Sequence, residues 1–245
     1  MPDFSLAIQA PKPVPGLLSR HLPCRTRYPT KAHMRIISLT SVPPRFGGLG
    51  PVLETLTAQG ADMVILALPV RYTCFTGPVT PPPLPAGVTL LRSASDHGPM
   101  TKLLPARAAY PDAHIAICDD DCLYDPGWVD ALWATGGPGA VAGSTFPVSR
   151  LGRAGGLVAQ GFAGVLLPPC VSFDAPPSDC HMADDLWISA CLAQAGVPIT
   201  PCPVARDHVR AFAAPAPLQN ENRAGIYARA AHCIHETTGL WPPLT

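Results

Sequence analysis

The sequence predicts an α/β fold, a single domain with a mostly parallel central sheet flanked by helices. Three observations carry this expectation. Apolar runs of strand length alternate with segments of helical periodicity up to about residue 145. One of these runs ends in three consecutive aspartates, Asp119, Asp120 and Asp121. A second acidic pair, Asp184-Asp185, opens a later helical segment.

From Met34 the pattern is regular. Arg35 to Thr40 reads as a short strand, and Ser41-Val42-Pro43-Pro44-Arg45 as a polar loop. Leu49, Val52, Leu53 and Leu56 recur at helical spacing up to Gly60. Met63 to Leu68 is uninterrupted apolar sequence, as expected of a strand buried on both faces of a parallel sheet. The stretch from Pro69 to Gly87 contains Pro81-Pro82-Pro83, which removes ladder donors and breaks helices, so it reads as a loop. Val88 to Leu91 is the next strand, and Gly98-Pro99 opens a helix carrying Met100, Leu103 and Leu104. Ala113 to Cys118 is the strand that delivers the triplet. Asp125-Pro126 then offers an N-cap and an N1 proline to a helix with Val129, Leu132 and Trp133 on one face.

Past Gly143 the character changes, with a glycine-rich Gly152 to Gly156 that lacks phosphate-loop spacing and an apolar Gly161 to Leu167. The helix opened by Asp184-Asp185 carries Ile188, Leu192 and Ala195 on one stripe and closes at Gly196, two residues before Pro198. The expected organisation is a proline-rich N-terminal extension over 1–33 and one domain over 34–245. Within that domain the change of character divides 34–145 from 146–245, the latter with a C-terminal helix.

Adjacent carboxylates at a strand end repel one another and are costly to desolvate unless a cation lies among them, so the triplet points to a divalent metal. At the carboxyl edge of an α/β sheet it also sits where such folds bind ligands. Formal net charge is zero and only 14% of residues are charged, which excludes a global basic field for nucleic acid or anionic membrane. No segment supplies about 18 uninterrupted apolar residues for a membrane span, and the start of the chain lacks the apolar core of a signal peptide. Nine cysteines with no CxxC pair argue against a zinc ribbon or a complete disulfide framework and fit a reduced cytoplasmic setting. Cys118 and Cys122 flank the triplet as packing residues, since a hard cation prefers oxygen.

Four segments in this order resemble a known family. Asp119-Asp120-Asp121 looks like the DXD motif of metal-dependent GT-A glycosyltransferases, particularly small bacterial-type enzymes similar to family 2. Asp184-Asp185-Leu186-Trp187 looks like their acidic helix start, where Glu-Asp is the commoner pair. Ser41 to Phe46 and Gly98-Pro99-Met100-Thr101-Lys102 are similar to further segments. The likeness spans roughly Arg35 to His208, and no motif maps onto Leu151 to Cys180.

The resemblance implies a GT-A-type domain that moves a sugar from a nucleotide-sugar donor to a hydroxyl of a glycan or glycosylated acceptor, with inversion. Mg2+ or Mn2+ would be its cofactor, held by Asp121 first, with Asp119 beside it. His208 is either the late histidine that completes the metal shell in many such enzymes or a surface side chain. Asp120 is a candidate ribose contact, and Lys102 and Arg45 are candidates for diphosphate or base. Asp185 is expected as general base, with Asp184 in a supporting contact to acceptor or helix cap. The rivals are a nucleotidyltransferase, which calls for a glycine-rich phosphate loop that Ser41 to Arg45 does not provide, and a non-catalytic nucleotide-sugar or glycan-binding protein.

Overall fold

The computed structural model describes residues 34–169, 171–212 and 222–244. The expected extension over 1–33 lies outside the described residues. In chain order the elements are β1 (Arg35–Leu39), α1 (Leu49–Thr57), β2 (Met63–Pro69), β3 (Val88–Ser93), α2 (Leu104–Ala109), β4 (His114–Ile117) and β5 (Cys122–Tyr124). They continue with α3 (Trp128–Thr135), β6 (Ala140–Ala142), β7 (Thr145–Pro147), β8 (Leu157–Ala159), β9 (Val165–Leu167), α4 (Asp184–Gln194) and β10 (Ile199–Pro201). The last are α5 (Pro203–Asp207), β11 (Val209–Ala211) and α6 (Arg223–Thr238).

Seven strands form the central sheet in the order β10-β6-β9-β4-β1-β2-β3. β1 pairs in parallel with β2 and β4, β2 with β3, and β10 with β6. β9 runs antiparallel between β4 and β6, the one strand against the grain of the sheet. The expected mixed α/β architecture with a mostly parallel sheet is present.

Successive strand residues point to opposite faces, and both faces are buried. Ile36, Ile65, Ala67, Ile115 and Ile117 face α2, α4 and α6. Ile37, Leu39, Val64, Leu66, Leu68 and Ala116 face α1 and α3. This two-sided covering is why the central strands are mostly apolar instead of alternating, with Ser38 and His114 as buried polar exceptions. All four apolar residues of the periodicity in α1 are buried, and α4 is buried continuously from Asp185 to Leu192 because it lies beneath α6. A helix buried all round carries little amphipathic signal.

Three local expectations are corrected. The loop after β1 is a 3-10 turn, Pro43–Gly48, started by the two prolines at its first positions. The segment opened by Gly98-Pro99 is likewise 3-10 up to Lys102 before α2 begins. Asp125 does not cap α3: the residue before the helix is Gly127, at φ 94, with no side-chain cap, and the Asp125 carboxylate instead forks onto Arg210 at 2.7–3.1 Å. The cause is remote in sequence, since Cys122 to Tyr124 pair with β11 and carry Asp125 to Arg210. Trp128 is the fully buried tryptophan of this region, while Trp133 is half-buried under the Arg35 guanidinium.

β9 is held in place by close contact with that tryptophan. Trp128 Nε1 donates to the Ala163 carbonyl at 2.9 Å, and Gly164 sits at φ 90 with its missing Cβ only 2.4 Å from the indole ring. Gly164→Ala combines an unfavourable backbone region with overpacking, so it is expected to cost at least about 2 kcal/mol. Urea unfolding of the purified variant measures this directly.

Candidate functional site

The sheet order reverses at β1: β2 and β3 extend to one side of it, β4 to the other. Outside the carboxyl ends of β1 and β4 the two directions part and leave a crevice. Thr40 and Ser41 follow β1 there, and Asp119, Asp120 and Asp121 follow β4. A cavity of about 320 Å³ opens at this point, walled also by Tyr72, Phe75, Lys102 and residues of α4 and α6. Six carboxylates line it, those of Asp96, Asp119, Asp120, Asp121, Asp184 and Asp185, against the three cationic side chains of Arg45, Lys102 and Arg223. The cavity therefore carries a surplus of negative charge.

Two of those cations are built into the walls. Lys102 is 2% exposed, with Nζ 2.6 Å from Asp119 and 2.7 Å from Asp184. Its two carboxylate neighbours hold its pKa well above the ordinary lysine range, against a desolvation that acts to lower it. It is positioned by Ser38, whose hydroxyl on β1 donates to the Lys102 carbonyl at 2.6 Å. Arg45, delivered by the 3-10 turn after β1, forms a buried ion pair with Asp120 and lies 3.5 Å from Asp121. Ser41 Oγ donates to the other oxygen of Asp120 at 2.5 Å, and Tyr72 donates to the Ser41 carbonyl at 2.5 Å. The loops after β1, β2 and β4 are thus joined through Asp120.

Asp121 is treated differently. Its side chain keeps 27% exposure, and its nearest cation is the Arg45 already bound to Asp120. Burial and the adjacent Asp119 and Asp120 push its pKa up, which is the signature of a carboxylate short of positive charge. Among the described residues no three His, Cys, Asp or Glu side chains stand ready to enclose an ion. Magnesium-type sites that work with phosphates do not need such a cage, since one or two carboxylates plus phosphate oxygens and waters suffice. Asp121 with Asp119 beside it fits that donor set.

The second acidic pair meets the first across the cavity. Asp184 is the first residue of α4 and Asp185 the second, and neither caps the helix: the N-cap position is Ala183, without a side-chain bond. Asp184 turns to Lys102 instead. Asp185 Oδ1 accepts from the Gly161 amide at 2.8 Å, and Oδ2 accepts from the Tyr227 hydroxyl at 3.1 Å. Burial first, and Asp184 next to it, push the Asp185 pKa up to about 7. A carboxylate with that proton affinity can take up and release a proton near neutral pH.

Gly161 permits this approach: a Cβ there would lie 2.9 Å from Lys102 Nζ, 3.2 Å from Asp119 and 3.3 Å from Asp185.

The structure brings together Asp119, Asp120, Asp121, Lys102, Arg45, Asp184 and Asp185 around one cavity. His208 is not among them. Its ring lies against Gly127, and its carbonyl accepts the Asp125 amide at 2.8 Å. The register of β5 with β11 places Ala211 opposite Cys122, so Phe212 meets Asp121, and His208 is held at the far end of the ladder. Lys102 and Arg45, the candidate diphosphate or base contacts, line the cavity and are each already paired with carboxylates. The sequence reading missed Tyr72, Gly161, His181, Arg223 and Tyr227. The last two sit on α6, whose weakly amphipathic sequence gave no hint that its first turn reaches the acidic pair.

Cys118 and Cys122 are buried and free, as expected of packing residues. No helix among the described residues is long and apolar enough to cross a membrane. No family model matches the chain, and no curated protein matches it significantly in sequence.

Proposed function

We propose that the protein is a GT-A-type glycosyltransferase, moving a sugar from a nucleoside-diphosphate donor to a hydroxyl of a glycan or glycosylated acceptor, with inversion and with a divalent cation. One observation carries this reading: at the switch point of a mostly parallel sheet, Asp121 and Asp185 face one cavity from two separate elements. The first belongs to a carboxylate surplus that attracts a cation. The second is a buried carboxylate tuned towards neutral pH.

The surplus fits Mg2+ or Mn2+, which Asp121 and Asp119 would hold and which would supply charge stabilisation to the departing diphosphate. The chain's own residues do the rest. Arg45 and Ser41 fix Asp120, so the acidic turn keeps its shape when a ligand arrives. Lys102 holds Asp119 and Asp184 at a set separation and so ties the metal side to the acceptor side. Asp185 accepts the proton of the acceptor hydroxyl as that oxygen bonds to the anomeric carbon. The carbon–oxygen bond to the diphosphate breaks in the same step, and its electron pair leaves with the diphosphate. Tyr227 and the Gly161 amide aim the carboxylate.

A nucleotidyltransferase is less well supported, because the turn after β1 is proline-led and places a buried ion pair where a glycine-rich phosphate cradle is needed. Calorimetry with nucleoside diphosphates, with manganese and with chelator, tests the reading. Binding is expected only with the metal, and Asp121→Asn is expected to weaken it at least about tenfold, or 1.4 kcal/mol. Equal affinity in manganese and in chelator would overturn the metal-assisted assignment. Hydrolysis or transfer of a bound donor separates an enzyme from a binding protein of the same fold.

A further inference from the structure

Of the three cationic side chains that line the cavity, Lys102 and Arg45 are held closely by carboxylates, whereas Arg223 has only a loose ion pair with Asp185. Its side chain is 42% exposed, its guanidinium lies 4.8 Å over the Tyr227 ring, and Nη2 donates to the Tyr227 hydroxyl at 2.5 Å. The same nitrogen is 3.6 Å from Asp185 Oδ2, longer than a hydrogen bond. The other guanidinium N–H groups have no partner among the described residues. Arg223 is also the first residue of α6, where the positive end of the helix dipole disfavours a cation, so its place does nothing for the helix. An arginine stacked on an aromatic ring, with one edge fixed and N–H groups left over, is preorganised for a planar oxyanion.

We propose that Arg223 is the anion-recognising residue of this cavity, receiving a carboxylate or phosphate of the ligand that occupies the α6 side. The inference rests on the reading of Asp185 as the group beside the acceptor hydroxyl. It implies an acidic acceptor, such as a uronic acid or a sugar phosphate, whose charge lies within a few ångströms of the hydroxyl that reacts. The neighbouring walls, Ile226 and Met182, are apolar and offer such a group no competing cation. The alternative source of the same oxyanion is the donor's diphosphate.

The test uses full-length protein and ligand-observed NMR titration with glucuronate, glucose 6-phosphate, glucose and manganese pyrophosphate. Wild type is expected to bind one of the two acidic sugars at least about fivefold more tightly than glucose. Arg223→Met is expected to abolish that preference, and Arg223→Lys to restore part of it. Unchanged pyrophosphate binding in Arg223→Met assigns the anion to the acceptor, whereas loss of pyrophosphate binding alone assigns it to the donor. Either result sustains the proposal. It is overturned if Arg223→Met, folded by circular dichroism, binds all four probes as wild type does, or if wild type makes no distinction between acidic and neutral sugars and pyrophosphate binding is unaffected. Manganese-dependent nucleotide binding is scored separately, so failure of the glycosyltransferase reading is not confused with failure of this one.

Discussion

Purified Asp185→Asn is expected to fold, to bind nucleoside diphosphate with manganese as wild type does, and to lose at least about a hundredfold in the rate of sugar transfer. General-base assistance contributes about 10²–10⁴-fold, and an amide cannot accept the proton. The geometry makes this a clean comparison. Asparagine keeps an oxygen to accept from the Gly161 amide, which is 2.8 Å away in wild type, and no helix cap is lost because Asp185 caps nothing. Transfer by wild type is expected to rise with pH to a plateau above about 7, since in the proposed mechanism the free carboxylate is the active form and its pKa is pushed up to about 7. That limb disappears in the variant.

Stability supplies an independent check. A carboxyl whose folded pKa is raised binds more protons in the folded state than in the unfolded state between its ordinary value and about 7, so wild type loses stability as pH rises through that window. Asp185→Asn removes this dependence and is expected to gain on wild type in melting temperature from pH 5 to pH 8. Wild-type turnover by Asp185→Asn, with a donor and acceptor established on the parent, ends the assignment and makes a retaining mechanism or another base the better choice.

What could be read from the sequence follows from which forces are local. β1, β2 and β4 were legible because strands buried on both faces favour apolar residues on both, and Ile36, Ile65 and Ile115 with their neighbours satisfy both layers. The acidic turn was legible from its placement, because an apolar strand delivers three successive carboxylates to the carboxyl edge of the sheet. β9 was not: Val165 to Leu167 look alike in either direction, and its antiparallel course is set by the return from β8 through the turn that Gly164 and Trp128 lock. The partners of Arg45 and Lys102 were hidden for a similar reason. Asp120 lies 75 positions from Arg45, and Asp184 lies 82 from Lys102, so no pattern in either neighbourhood records that the charges meet. Of the two alternatives for His208, the sequence alone could not choose, because a motif places a residue in sequence, whereas the β5–β11 register decides which end of a ladder it occupies.

Lys102→Met is expected to be the most destabilising substitution in the site, at about 3 kcal/mol in urea unfolding at pH 7.5. Removing one member of a buried ion pair costs about 3–5 kcal/mol, because the charge left behind keeps its desolvation and loses its compensation. Here two carboxylates are left, at 2.6 and 2.7 Å from the departed ammonium. Their exposure, 35% for Asp119 and 13% for Asp184, lets water recover part of the loss and sets the expectation at the lower end of that range. Lys102→Met combined with Asp184→Asn is expected to recover about half of the loss, because one of the two stranded charges is gone. A lysine that merely faced a phosphate from the cavity wall behaves otherwise: its loss would weaken diphosphate binding and leave the urea midpoint within about 0.5 kcal/mol of wild type at every pH. A midpoint unchanged at pH 7.5 would therefore remove Lys102 from its place as the strut between Asp119 and Asp184.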